Sequence, residues 1–226
     1  MDFTGNLTRR REQLAGAPRT YVDEARRKVV LGESRVGIVD LWENSPTRFE
    51  DNPSHTEAIM DVLFPPGTLL CVGRSRSRFE TAPRDKLRGR LHKMQFIVPN
   101  PMIARFGRTL SGKRSSHTLA NTGSRRFIVT EFDTGTIDEQ AAIIWHLAFQ
   151  APLSLVVHSG GKSLQAWFYC FGQPETRVLE FFKYAVALGA DQATWTRSQF
   201  VRLPDGRRDN GKRQVAYYLN PATIKS

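Results

Sequence analysis

Phe127-Ile128-Val129-Thr130-Glu131-Phe132-Asp133 is the stretch on which the reading of this chain turns. Its apolar and β-branched run predicts a buried β-strand. Side chains alternate along a strand, so Glu131 and Asp133 fall on one face at its end. Two carboxylates that close repel each other unless a cation lies between them. A divalent metal serving phosphoryl transfer is the pointed reading. A solvated strand end is the plain one.

Working outward, Thr134-Gly135-Thr136 reads as a turn. Ile137, Ala141, Ile144, Leu147 and Ala148 then recur with helical spacing over 137–149. Thr136 is the expected N-cap, with Asp138 and Glu139 in the first turn. Leu153–Val157 and Leu164–Phe171 read as strands around Ser159-Gly160-Gly161, and Glu175–Leu188 as a second helix. Segments 197–203 and 213–219 are two more strand candidates, joined by a turn-rich stretch. The expected order is β-α-β-β-α-β plus a hairpin. That gives an α+β fold with an RRM-like (ferredoxin-like, split βαβ) palm.

The other half is less regular. Residues 1–35 carry Arg9-Arg10-Arg11 and a loose apolar stripe of Val22, Ala25, Val29 and Val30, and are expected to form a basic helical arm. Residues 36–120 are expected to form an N-terminal α/β subdomain with basic loops, and 121–226 the RRM-like subdomain. Within 36–120, Val36–Leu41 reads as a short strand, His55–Leu63 as a helix, and Leu69–Val72 and Phe96–Val98 as strands. Segment 73–93 packs eight Lys and Arg into twenty-one residues and reads as a phosphate-contacting loop or a solvated face. Gly107 to Lys113 has Walker-like spacing, but Arg114 stands where Ser or Thr is required, so 103–126 is read as basic loop.

Composition narrows the partners. Thirty-three Lys and Arg against twenty-two Asp and Glu give a formal net charge of +11 and a pI near 10.2. That balance favours a polyanion. No apolar run approaches the roughly 20 residues needed to span a bilayer, and residues 1–11 lack an apolar signal-peptide core. Cys71 and Cys170 lie far apart in apolar contexts and read as reduced core residues of a cytosolic protein.

Two further constellations carry chemistry. Ser159-Gly160-Gly161-Lys162-Ser163-Leu164-Gln165 can bring backbone N–H groups and an ammonium to a phosphate, or can be a plain hairpin turn. Asp191 precedes Arg202-Leu203-Pro204, and an Arg in an apolar strand needs an anionic partner. Arg207, Arg208, Lys212 and Arg213 make the next hairpin basic.

An acid-x-acid strand end, a Ser-Gly-Gly-Lys-Ser hairpin and a downstream Asp followed by Arg-x-Pro resemble, over residues 125–220, the archaeo-eukaryotic primase superfamily. The likeness is greatest to the primase-polymerase domains of plasmids, phages and other mobile elements. The resemblance implies a DNA primase/polymerase-type nucleotidyltransferase with a two-metal Mg²⁺ or Mn²⁺ site at Glu131, Asp133 and Asp191. It implies nucleotide binding by Ser159, Lys162, Ser163, Gln165 and Arg202. Nucleic acid would lie on Arg74, Arg76, Arg78, Arg88 and Arg90, and on Arg207, Arg208, Lys212 and Arg213. The implied partners are a single-stranded or primer–template DNA, NTP or dNTP and a replicative helicase, in a cytoplasmic setting with no membrane. Gln165 departs from the pattern, which has histidine there; Gln donates a hydrogen bond but carries no charge. The alternatives are a primase-like nucleic-acid-binding module without catalysis and a metal-dependent nuclease.

Overall fold

A computed structural model describes residues 21–50 and 55–225, which build two four-stranded antiparallel sheets sharing one apolar layer. The Arg9–Arg11 run lies outside the described residues. Helices Glu24–Glu33, Ile38–Glu43 and Thr56–Leu63 come first. The strands follow as β1 (Leu69–Gly73), β2 (Phe79–Pro83) and β3 (Phe96–Ile97), then β4 (Gly107–Arg108) and β5 (Arg114–Ser115). Next come β6 (Phe127–Phe132), helix Ile137–Ala148, β7 (Leu153–His158), β8 (Leu164–Tyr169) and helix Glu175–Ala187. The chain ends with β9 (Val201–Arg202) and β10 (Ala216–Leu219). One sheet runs β10-β7-β8-β6, the other β2-β1-β3-β9, and β4-β5 is a separate ribbon.

The first sheet is covered on both faces, and alternation along β6 and β8 sorts the side chains. Ile128, Phe132, Leu164, Ala166 and Phe168 pack under the two long helices. Phe127, Val129, Trp167 and Tyr169 face the second sheet, against Leu70, Val72 and Ile97. Glu131 and Gln165 share the parity of this inter-sheet face and are paired across the two strands. The helix Ile137–Ala148 starts in a capping box: Thr136 Oγ1 accepts from Glu139 N at 3.1 Å, and the Glu139 carboxylate accepts from Thr136 N at 2.8 Å.

Strands β6 and β7 both run antiparallel to β8 between them, and are therefore parallel to each other on either side of helix Ile137–Ala148. The last part of the expected order is corrected. Residues 197–203 contribute a strand of two residues, and it pairs with β3 in the second sheet. Strand β10 does not form a hairpin with it but adds to β7. The Arg202 N–H, on the side away from β3, is taken by the Gln165 side chain at 2.7 Å, while Leu203 N donates to Gln95 O at 3.0 Å.

Three upstream expectations also change. Val36–Leu41 is not a strand. Ile38–Glu43 is a helix because the Asp40 carboxylate caps Gly37 N at 2.6 Å and Asp138 accepts from Ile38 N at 2.9 Å. The stretch 73–93 contains β2 and a short helix, Arg84–Leu87, and 103–126 contains the ribbon. In the stripe of the first arm Val30 is buried, whereas Val22 and Val29 are exposed. That arm packs on the C-terminal half: Asp23 N donates to Ala187 O at 2.8 Å. No helix of the described residues is long and apolar enough to cross a membrane.

Candidate functional site

Glu131 leaves β6 into the gap between the two sheets, where the chain meets it with two donors. Ser163 Oγ donates to Glu131 Oε1 at 2.9 Å and is hydrogen-bonded to Ser159 Oγ at 2.9 Å. Gln165 Nε2 donates to Glu131 Oε2 at 2.9 Å. The Gln165 side chain is buried, and its Oε1 accepts from Arg202 N at 2.7 Å. One amide thereby ties the acidic strand end to the second sheet. Its orientation follows from the partners, a carboxylate needing a donor and an N–H needing an acceptor.

Asp191 reaches the same place through the backbone. Its N–H donates to Glu131 O at 2.8 Å, while its carboxylate caps the turn Gln192–Trp195 by accepting from Ala193 N at 2.9 Å. Asp133 lies one residue past β6 and is exposed, 3.2 Å from Lys162 Nζ. The structure therefore brings Glu131, Ser159, Ser163, Gln165 and the Arg202 backbone into one network, with the Asp133–Lys162 pair and Asp191 around it. Among the described residues no group of three or more His, Cys, Asp or Glu side chains is gathered to hold a metal ion. Glu131 and Asp133 do offer oxygen donors of the kind Mg²⁺ and Mn²⁺ take, and each carboxylate has lone pairs beyond its protein contacts.

Arg202 lies over the Phe96 ring, 4.7 Å from its centroid, and its Nη1 lies 3.4 Å from Gln214 Oε1. Burial pulls this guanidinium below its usual range and the neighbouring Arg208 adds to that, while Glu131 acts in the opposite sense.

The two hairpins meet over Gly160. It has φ +71°, and a Cβ there would sit 2.7 Å from Arg213 O, so a larger residue would force the 207–213 segment away. Arg208 Nη1 donates to Ser159 O at 3.3 Å. Beside this junction is a cavity of about 460 Å³ whose cationic wall is Arg74, Lys93, Arg207, Arg208 and Arg213. Two carboxylates in its lining are already engaged: Asp205 pairs with Arg213, and Asp209 accepts from Gln95 Nε2 at 2.6 Å.

The remaining basic candidates separate. Arg76 lies over Phe96 at 6.0 Å, near Arg202. Arg78 and Lys212 are exposed. Arg88 and Arg90 are held in ion pairs, with Asp61 at 2.7 Å and Glu80 at 3.1 Å.

Three supporting residues have no signature as motifs. Gln140 is buried on the apolar face of its helix; it accepts from Leu164 N at 2.9 Å and donates to Lys162 O at 3.0 Å, locking the Ser159–Gln165 hairpin. Gln214 is buried and donates to Leu203 O at 2.8 Å and Gln95 O at 3.1 Å. Asp205 is buried at φ +58° and also accepts from His55 N. For Gln140 a signal existed: a polar residue at a position the helical period assigns to the core.

No protein-family model matches the chain, and no curated protein matches it. Among solved structures, the chain is similar to the polymerase domain from Mycobacterium tuberculosis Ligase D in complex with DNA. That match has 13% identity, covers 89% of this chain and 92% of the other, and has a TM-score of 0.37.

Proposed function

We propose that this chain is a DNA primase/polymerase-type nucleotidyltransferase that extends a strand on a DNA template. The observation that carries this is the convergence on Glu131 of three segments far apart in sequence. The Ser159–Gln165 hairpin reaches its carboxylate, Asp191 reaches its carbonyl, and Gln165 ties that carboxylate to the Arg202 N–H.

Phosphoryl transfer needs positioning and charge neutralisation above all. Gln165 and Ser163 hold the Glu131 carboxylate in one orientation, and neither needs a charge to do so. Lys162 and Arg202 supply fixed positive charge for a triphosphate, and the Gly160 turn lets the basic 207–213 segment approach it. Arg74, Arg207, Arg208 and Arg213 suit a phosphodiester backbone without reading sequence. Glu131 and Asp133, with Asp191, would hold Mg²⁺ or Mn²⁺, which when bound supplies Lewis acidity toward the 3′-hydroxyl and the leaving pyrophosphate.

Template-dependent incorporation of labelled nucleotides with Mg²⁺ or Mn²⁺ tests this. Product from the wild-type chain, lost in Asp133→Ala while DNA binding persists, is the expected result. No product at any metal concentration overturns it. Increased product from Gln165→His would place Gln165 at the nucleotide's phosphates.

A second reading, a nucleic-acid-binding module without catalysis, is favoured by one observation. Both Glu131 oxygens already have protein donors, and Asp133 has Lys162. It predicts salt-dependent DNA binding that is indifferent to divalent metal.

A further inference from the structure

The ribbon β4-β5 plays no part in the site just described, yet it is a built element. Asn121 is buried beneath it and clamps both arms: Nδ2 donates to Ala104 O at 3.0 Å and Ser116 O at 3.1 Å, and Oδ1 accepts from Thr118 N at 2.9 Å. Its tip is closed by Thr109 N donating to Lys113 O at 2.9 Å. A ribbon of two-residue arms held this firmly is not a slack loop.

Its chemistry is doubly unusual. From residue 86 to residue 130 the chain has ten Lys and Arg and no Asp or Glu, and the ribbon carries Arg105, Arg108, Lys113 and Arg114 of these. Apolar side chains stand out between the cations. Leu110 at the tip is 82% exposed and Ile103 at the base 70%, and Phe106 is exposed under the Arg114 guanidinium at 3.7 Å. Cations alone would suit any polyanion. Apolar groups interleaved with them gain only where a polyanion also offers unstacked, uncharged faces, as a single strand does.

The base of the ribbon continues toward the candidate site. His117 lies against Phe200 at 3.9 Å, Phe200 against Phe96 at 6.0 Å, and Phe96 carries Arg202. Phe96 and Arg202 are cross-strand partners opposite the shared core, on the outer face of β2-β1-β3-β9. Val98, Met102 and Phe200 pack with Cys71 and Phe79 on that face, and the Arg76 and Arg202 guanidinium groups lie over Phe96 beside them.

We infer that the ribbon Gly107–Ser115 is a grip for single-stranded nucleic acid. Arg105, Arg108, Lys113 and Arg114 hold phosphates, and Phe106 and Leu110 contact bases. The strand leads from there along the outer sheet face to Arg202. This grip does not depend on the chain being a catalyst, and its test reads binding alone.

The test is fluorescence anisotropy of a labelled single-stranded oligonucleotide across a salt series, with a duplex of the same sequence alongside. The wild-type chain is compared with the triple variant Arg108→Ala, Lys113→Ala, Arg114→Ala and with Leu110→Ala. Each single-strand phosphate contact contributes about 0.7 to the slope of log affinity against log salt, so the triple variant should lower that slope by about 2. Its affinity should fall at least about tenfold near physiological salt. Leu110→Ala sits at an exposed tip where folding is not at stake, and it should weaken single-strand binding several-fold while leaving the slope unchanged. Unchanged affinity and slope in the triple variant would overturn the grip. So would equal losses on the duplex, or binding of anionic phospholipid vesicles in preference to the oligonucleotide. A chain that fails to incorporate nucleotides yet shows these losses separates the grip from the catalytic reading.

Discussion

The two sheets of this protein are built from the same chain to opposite specifications. Sheet β10-β7-β8-β6 has three strands of six residues and is buried on both faces, under helices on one side and against the second sheet on the other. Sheet β2-β1-β3-β9 ends in two strands of two residues, packs one face on the shared core, and carries on the other only a small cluster around Cys71, Val98 and Met102, beside which the Arg76 and Arg202 guanidinium groups lie over Phe96. A sheet packed on both sides holds carboxylates at a defined place. A sheet whose second face is only lightly packed keeps room at its edge for a partner. The difference locates a candidate chemical group on the first and a candidate track on the second, with Gln165 as the tie between them.

The comparison breaks first at the layer the sheets share. Trp167→Ala removes a fully buried indole that contacts Phe127 edge-on at 5.5 Å. It should cost about 3–5 kcal/mol in denaturant unfolding. The indole Nε1 has no hydrogen-bond partner, so Trp167→Phe should cost much less than Trp167→Ala, and equal losses would show that the N–H matters. Second is Asp133→Ala, which should reduce incorporation at least about a hundredfold, in the range of losing one group that stabilises developing charge. Because Asp133 is exposed, its unfolding midpoint should hardly move. Third, Gln165→Leu leaves Glu131 short of a donor and Arg202 N short of an acceptor. About 1–3 kcal/mol of stability should be lost, as expected for a buried group deprived of its partner. A larger effect on activity than on stability would mark Gln165 as a positioning residue for Glu131. The smallest effect belongs to the surface of the second sheet. Glu80→Gln breaks the exposed pair with Arg90 and should change stability by no more than about 1 kcal/mol. If Arg90 then contributes to DNA binding where it did not before, the pair was masking it.

Legibility followed the same division. The strands from Phe127 to Tyr169 are apolar runs bounded by turns and the helices between Ile137 and Ala187 carry the 3.6 period, so their types and most of their bounds could be read directly. The upstream half could not be read that way. Two-residue strands have no period to detect, and β2 lies inside a basic stretch, with Arg84 buried against Phe64 O at 2.6 Å. Val36–Leu41 looked extended because its residues are β-branched and apolar, yet capping by Asp40 and Asp138 makes most of it helix. The acid pair and the hairpin beside it were visible as motifs. What engages them was not: Gln140, Gln214 and Asp205 act through contacts with residues 8 to 150 positions away.

Local pattern settled which segments are strand or helix in the C-terminal half and which residues carry charge, because those properties depend on neighbours within one or two turns of chain. Folding in space settled the rest. It moved Val201–Arg202 out of the expected palm into the other sheet and sent β10 to the far edge beside β7. It also turned Gln165 into a bridge between a carboxylate and a backbone N–H. None of these could be inferred locally, since each is decided by which buried donor or acceptor remains without a partner once two separate sheets have closed on one another.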